Sequence, residues 1–98
     1  MTQLTIFSKP GCHLCDVTAR MINRIRIDIP VSCHYVDIAA DPQLLRTYGT
    51  RIPVIFIDGL ECFSGKVTER ELRAAIKKAR WRGPLSRILS RFRALKQG

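Results

Sequence analysis

The chain has 98 residues, 46% of them hydrophobic, and a formal net charge of +9. That length holds one domain with a modest core; no run of about 18 apolar residues supports a transmembrane helix, and Met1 to Lys9 lacks the basic start and apolar stretch of a signal peptide. The four cysteines fall inside apolar elements rather than loops, which favours a reducing cytoplasm over a secreted disulfide scaffold.

The charge is unevenly placed. Residues 1–76 carry nine Lys/Arg and eight Asp/Glu, whereas residues 77–98 carry eight Lys/Arg and no acid. Two parts are therefore expected: a domain over residues 1–81 and a basic extension over residues 82–98.

In chain order, Leu4 to Phe7 is an apolar, β-branched run that reads as a first strand. Leu14, Val17, Met21, Ile22 and Ile25 recur at helical spacing and predict a helix from about Cys12 to Arg26, with this stripe facing the core. Asp28-Ile29-Pro30 is the loop back, and Val31 to Asp37 a second strand, parallel to the first. Asp41 as N-cap and Pro42 at the first helical position open a short second helix with Leu44, Leu45 and Tyr48 as its apolar face; Gly49 suits its stop.

Ile52-Pro53 leads into Val54-Ile55-Phe56-Ile57, the most strand-like run. Asp58-Gly59 is a type I′ turn signal, and Leu60 to Phe63 returns as an antiparallel partner that Ser64-Gly65 ends. Thr68 and Glu71 form a capping box for a third helix through Leu72, Ala75, Ile76 and Ala79, broken by Gly83-Pro84. Strand–helix–strand–helix–strand–strand–helix implies an α/β fold: a four-stranded mixed sheet with helices on both faces. Beyond it, Leu85, Ile88, Leu89, Phe92 and Leu95 share one face of an amphipathic C-terminal helix. Three uses of that helix compete: docking on the domain itself, lying on an anionic membrane surface, or capturing an acidic partner or a second copy. No base-reading motif or interleaved aromatics points to nucleic acid.

Chemistry concentrates in Lys9-Pro10-Gly11-Cys12-His13-Leu14-Cys15, where the first strand ends and the first helix begins. Unpaired backbone N–H groups and the helix dipole favour negative charge at that point, as a nucleophilic thiolate requires. Cys12 is read as the attacking thiol and Cys15, one helical turn on, as the resolving thiol. His13 either stabilises the thiolate and shuttles protons or is a solvated first-turn residue. A zinc site needs two further ligands, and adjacent Cys33 and His34 on a strand point to opposite faces. Haem attachment needs His directly after the second cysteine, where Asp16 stands. Cys33 and Cys62 are read as small buried hydrophobes.

With these motifs in this order, residues 3–80 resemble the glutaredoxin branch of the thioredoxin superfamily, and most closely a glutaredoxin-like family with a Cys-His-Leu-Cys-Asp type motif. The resemblance implies a thioredoxin-like fold and a cis-proline at Pro53, whose neighbour Ile52 pairs through its backbone with a bound thiol peptide. It implies that Lys9 meets a glutathione carboxylate. Ser64 and Gly65 resemble the start of a loop in redoxins that are reduced by thioredoxin reductase. The chain departs from the glutaredoxin pattern at His13 and Leu14, at Arg51 where Thr is common, and in lacking a Gly-Gly-x-Asp-Asp segment. The expected function is a dithiol–disulfide oxidoreductase acting on protein disulfides or glutathione mixed disulfides, with glutathione or thioredoxin reductase as electron donor and no bound cofactor or metal. The competing expectation is a binding or sensor module targeted by the basic tail, its dithiol serving as redox sensor or metal clip.

Overall fold

Strand β1 (Thr2–Ser8) runs through the middle of a four-stranded sheet of order β2-β1-β3-β4 in a computed structural model that describes residues 1–81. It pairs in parallel with β2 (Val31–Asp37) and antiparallel with β3 (Val54–Ile57), which in turn pairs antiparallel with β4 (Leu60–Ser64). Helix α1 (His13–Asp28) makes the β1–β2 crossover, α2 (Pro42–Tyr48) connects β2 to β3 after a 3-10 turn at Ile38–Ala40, and α3 occupies residues 69–81. This is the thioredoxin-like α/β fold. The Gly83-Pro84 break and the amphipathic extension lie outside the described residues.

Local chemistry accounts for the helix starts. Asp41 accepts hydrogen bonds from the backbone N–H groups of Gln43 and Leu44, and Pro42 follows it. The Thr68 hydroxyl accepts from Glu71 N–H at 3.1 Å while the Glu71 carboxylate accepts from Thr68 N–H at 3.1 Å, a reciprocal box. Gly49 departs from expectation. Its backbone is right-handed (φ −57°), so no left-handed cap ends α2; an added Cβ would instead strike the Leu45 carbonyl oxygen.

Strand alternation divides the residues between two faces. On one face, Leu4, Ile6, Ile55 and Ile57 pack with Met21, Ile22 and Ile25 of α1 and with Leu72 and Ile76 of α3. On the other, Phe7 and Phe56 meet the Tyr48 ring of α2, with centroids 4.9 and 6.2 Å from it. Outside the core, Glu69 accepts from both Arg24 and Arg73, and Arg73 also reaches Asp28, so charged pairs lash α1 to α3. The Arg24 and Arg73 hydrogen bonds hold the Glu69 carboxyl below the usual carboxylate range.

The α1 stripe differs from expectation. Leu14 and Val17 are 40% and 37% exposed, and Cys15 and Thr18 face inward instead. Helical spacing of 3 and 4 is satisfied by either set; the sheet lies on the side of Cys15, Thr18, Ile22 and Ile25. α2 also buries less than expected: none of its residues is fully buried, and Leu45 is exposed.

Cys62 also departs from expectation, because it is exposed rather than buried. Ile57 pairs with Leu60 and Phe56 with Glu61, but Ile55 pairs with Phe63, so Cys62 is the extra residue of a β-bulge. Its thiol donates to the Leu60 carbonyl at 3.3 Å. Cys33 is half-buried on β2, at the opposite sheet edge. Three strand spacings, about 14 Å, separate the two and preclude a disulfide between them. Burial pushes the Cys33 thiol up, outweighing the opposing effects of the Tyr35 hydroxyl and the Arg26 charge.

Two outcomes follow. Ile22, fully buried between α1 and the sheet, loses about 2–5 kcal/mol of stability on replacement by Ala, read by urea unfolding. In the oxidised protein at pH 8, iodoacetamide labels Cys62 well before Cys33, because a raised pKa leaves less thiolate at a given pH. Cys33 labelling then accelerates as pH climbs above the ordinary thiol range. Equal rates, read by peptide mass spectrometry, contradict the bulge and the burial together.

Candidate functional site

The site begins where β1 releases the chain. After Ser8, Lys9 and Pro10 are exposed, and Gly11 takes a left-handed backbone (φ +81°) that turns the chain toward α1. Cys12 is the N-cap of that helix, with extended backbone (φ −88°, ψ 108°). Its carbonyl accepts the first helical hydrogen bond, from Asp16 N–H at 3.2 Å, and its sulfur accepts from Cys15 N–H, also at 3.2 Å. A sulfur thus fills the place that a Ser or Asp oxygen takes at most helix starts.

Cys12 and Cys15 are joined by a disulfide, with Cα atoms 5.2 Å apart. Their exposures differ. Cys12 is partly open to solvent, whereas Cys15 is 6% exposed and packed on the inner side of α1. One cysteine is thus partly open to solvent and the other sheltered. His13 is the first residue of α1 and points into solvent, as does Asp16.

Register brings the other site residues to the same end of the sheet. Phe7 pairs with Val54, so Pro53 stands at the end of β1 from which the Lys9–Cys15 loop departs. The Ile52–Pro53 peptide bond is cis, Pro53 is buried, and Ile52 is half-buried. Val54 also pairs with Ser64, and Gly65 N–H donates to the Pro53 carbonyl at 2.9 Å. Lys9, Cys12, His13, Cys15, Ile52, Pro53, Ser64 and Gly65 therefore gather at one end of the fold. Cys33 and His34 stand apart on the β2 edge. Among the described residues no group of three or more His, Cys, Asp or Glu is placed to hold a metal ion, and no helix is long and apolar enough to cross a membrane.

One grouping beside the site was not anticipated. The Arg51 guanidinium lies 5.2 Å from the centroid of the Tyr48 ring and pairs with Glu61. Arg51 stood out in the sequence only as a departure from a pattern, and Tyr48 only as a packing residue. Glu61 carried no signal, because its face of the sheet depends on the bulge.

Comparison with known proteins agrees with the fold. The uncharacterized protein Rv0508 of Mycobacterium tuberculosis is 25% identical over 87 residues, which cover 84% of this chain and 90% of that protein. Among solved structures, the protein XcR50 from X. campestris aligns with a TM-score of 0.66 at 29% identity, over 76% of this chain and 96% of that one. The NTD_N/C domain of alkylhydroperoxide reductase AhpF from Enterococcus faecalis aligns with a TM-score of 0.62 at 29% identity, over 76% of this chain and 37% of that one. Residues 3–77, the part that contains every site residue described above, match the glutaredoxin-like domain (DUF836), and the chain belongs to that family of the thioredoxin superfamily.

Proposed function

We propose that the protein is a thiol–disulfide oxidoreductase that reduces disulfides in other proteins through Cys12 and Cys15. The observation that carries this reading is the asymmetric pair at the start of α1: a partly exposed cysteine at the N-cap joined by a disulfide to a buried cysteine one turn on.

Cys15 N–H meets the Cys12 sulfur in the disulfide form; in the dithiol form such a donor at the N-terminus of α1 suits a Cys12 thiolate. That thiolate attacks one sulfur of a substrate disulfide. A bond forms between Cys12 and this sulfur, the substrate S–S bond breaks, and the other substrate sulfur leaves as a thiolate that takes a proton from solvent. Cys15, deprotonated, then attacks the Cys12 sulfur. The mixed disulfide breaks, the second substrate thiol departs, and the Cys12–Cys15 disulfide remains. Two electrons pass from the dithiol to the substrate. Return to the dithiol form needs a thiol reductant, either glutathione or thioredoxin reductase.

The remaining site residues take supporting roles. The Ile52 and Pro53 backbone, beside the motif and tied to Gly65, offers an edge along which an extended substrate segment lies. Lys9 supplies positive charge next to the attacking sulfur and a contact for an anionic thiol such as glutathione. Ser64, paired with Val54, borders the same edge. Two further cysteines that stay free, Cys33 and Cys62, suit a reducing compartment such as the cytoplasm.

Replacing Cys12 by Ser abolishes reduction of a fluorogenic peptide disulfide. Replacing Cys15 by Ser leaves the first attack intact and accumulates a mixed disulfide between Cys12 and the substrate, detected as an added mass that dithiothreitol removes. Full turnover by the Cys12→Ser protein refutes the assignment.

A further inference from the structure

Substrate choice has a candidate determinant next to the dithiol. Arg51 immediately precedes Ile52-Pro53, at the end of the sheet where the proposed substrate segment lies. Its guanidinium is held above the Tyr48 ring, and Tyr48 is wedged in turn against Phe7 and Phe56. A cation–π contact of this kind holds the guanidinium and its N–H donors beside the ring. Among the described residues its one side-chain hydrogen bond runs from a terminal nitrogen to Glu61. Both side chains of this pair are 40% exposed, so solvent and an incoming group can reach them. An exposed pair of this kind is weak and readily exchanged.

The bulge explains why Glu61 is there at all. Residues two apart on a regular strand share a face, so without Cys62 as an extra residue Glu61 and Phe63 would lie on one side. The bulge sends Phe63 to the core face opposite Ile55 and leaves Glu61 opposite Phe56, on the face of Tyr48 and Arg51. Lys9 and Lys66 are also exposed at this end, with Asp16 as an acidic residue in the first turn of α1.

We infer that Arg51 is a specificity-determining residue: it binds a carboxylate carried by the segment beside the substrate disulfide, and Glu61 is the internal carboxylate that the substrate displaces. The partner class is a disulfide-containing protein with an acidic stretch at the bond to be reduced. This assignment rests on the oxidoreductase reading and adds a recognition rule to it. Arg51 takes no part in electron transfer, and Tyr48 acts as a positioning residue by holding the guanidinium beside its ring.

The test compares kcat/KM of the reduced full chain for two peptide disulfides of equal length, one flanked by Glu and the other by Lys. The wild-type protein prefers the Glu-flanked peptide. Arg51→Gln lowers the ratio of the two kcat/KM values about tenfold, the effect of losing one charge-assisted hydrogen bond. Glu61→Gln raises the ratio by removing the competitor, and Arg51→Lys restores part of the preference that Arg51→Gln loses. Raising salt narrows the ratio in the wild type. A ratio that stays unmoved in both Arg51→Gln and Glu61→Gln, while the wild type reduces both peptides, overturns the recognition rule alone. A fall of both rates by a common factor also overturns it, because that is the signature of a structural role. A wild-type protein that reduces neither peptide overturns the oxidoreductase reading, and this rule with it.

Discussion

Parallel pairing of β1 with β2 is the constraint from which the site follows. Parallel neighbours cannot be joined by a tight turn, so the chain must leave β1, cross over the sheet and return beside it. Helix α1 makes that crossing, with Ile22 and Ile25 pressed on Leu4 and Ile6. Its N-terminus is thereby fixed at the end of a central strand paired on both sides. Backbone N–H groups with no helical partner face outward there, and the sequence offers them a cysteine sulfur rather than a hydroxyl or carboxylate. The fold does not merely carry the dithiol; the same hydrogen-bonding deficit that every helix start must meet is met by the group with the chemistry.

The two cysteines owe their different environments to helix geometry. Cys12 is the cap and stands outside the cylinder of α1. Cys15, three residues on, falls on the side that packs inward, in line with Thr18 and Ile22. A motif of this spacing at a helix start therefore separates an approachable sulfur from a sheltered one. Because β3 enters on the other side of β1, running antiparallel, its first residues reach the same end of the sheet. Pro53, and through its carbonyl Gly65, are carried there by register alone. Segments separated by some fifty residues in sequence meet because three strands share one end.

Much of this was legible in the sequence where the deciding interaction is local. Asp41-Pro42, Thr68 with Glu71, and Asp58-Gly59 each act within four residues, so their hydrogen bonds and backbone signs can be read directly; Asp58 and Gly59 both adopt the positive φ that a type I′ turn requires. The strand runs and the placement of Cys12-x-x-Cys15 were legible for the same reason. What escaped depends on partners distant in sequence. Leu14 and Val17 looked like core by hydropathy, yet the side of α1 that the sheet covers is set by the crossover and selects Cys15 and Thr18. Cys62 looked like an inward strand residue because nothing in Leu60 to Ser64 announces an extra residue; the bulge exists only relative to the register of β3.

That hidden bulge has the largest consequence for how the site meets the outside. A regular β4 could not satisfy both Phe63, which belongs with Ile55 on the core side, and Glu61, which belongs with Arg51 on the aromatic side. One extra residue reconciles them, and Cys62 is the residue displaced to solvent as a result. Glu61 then places a negative charge within reach of a guanidinium that Tyr48 has already oriented. Next to Pro53 this pairing therefore sets a guanidinium and a carboxylate side by side. In the recognition proposed for Arg51, a segment at the Ile52–Pro53 edge meets a local cation with a replaceable counter-ion. Such an arrangement discriminates by the position of a carboxylate relative to the disulfide, which a diffuse field screened over about 10 Å does not do.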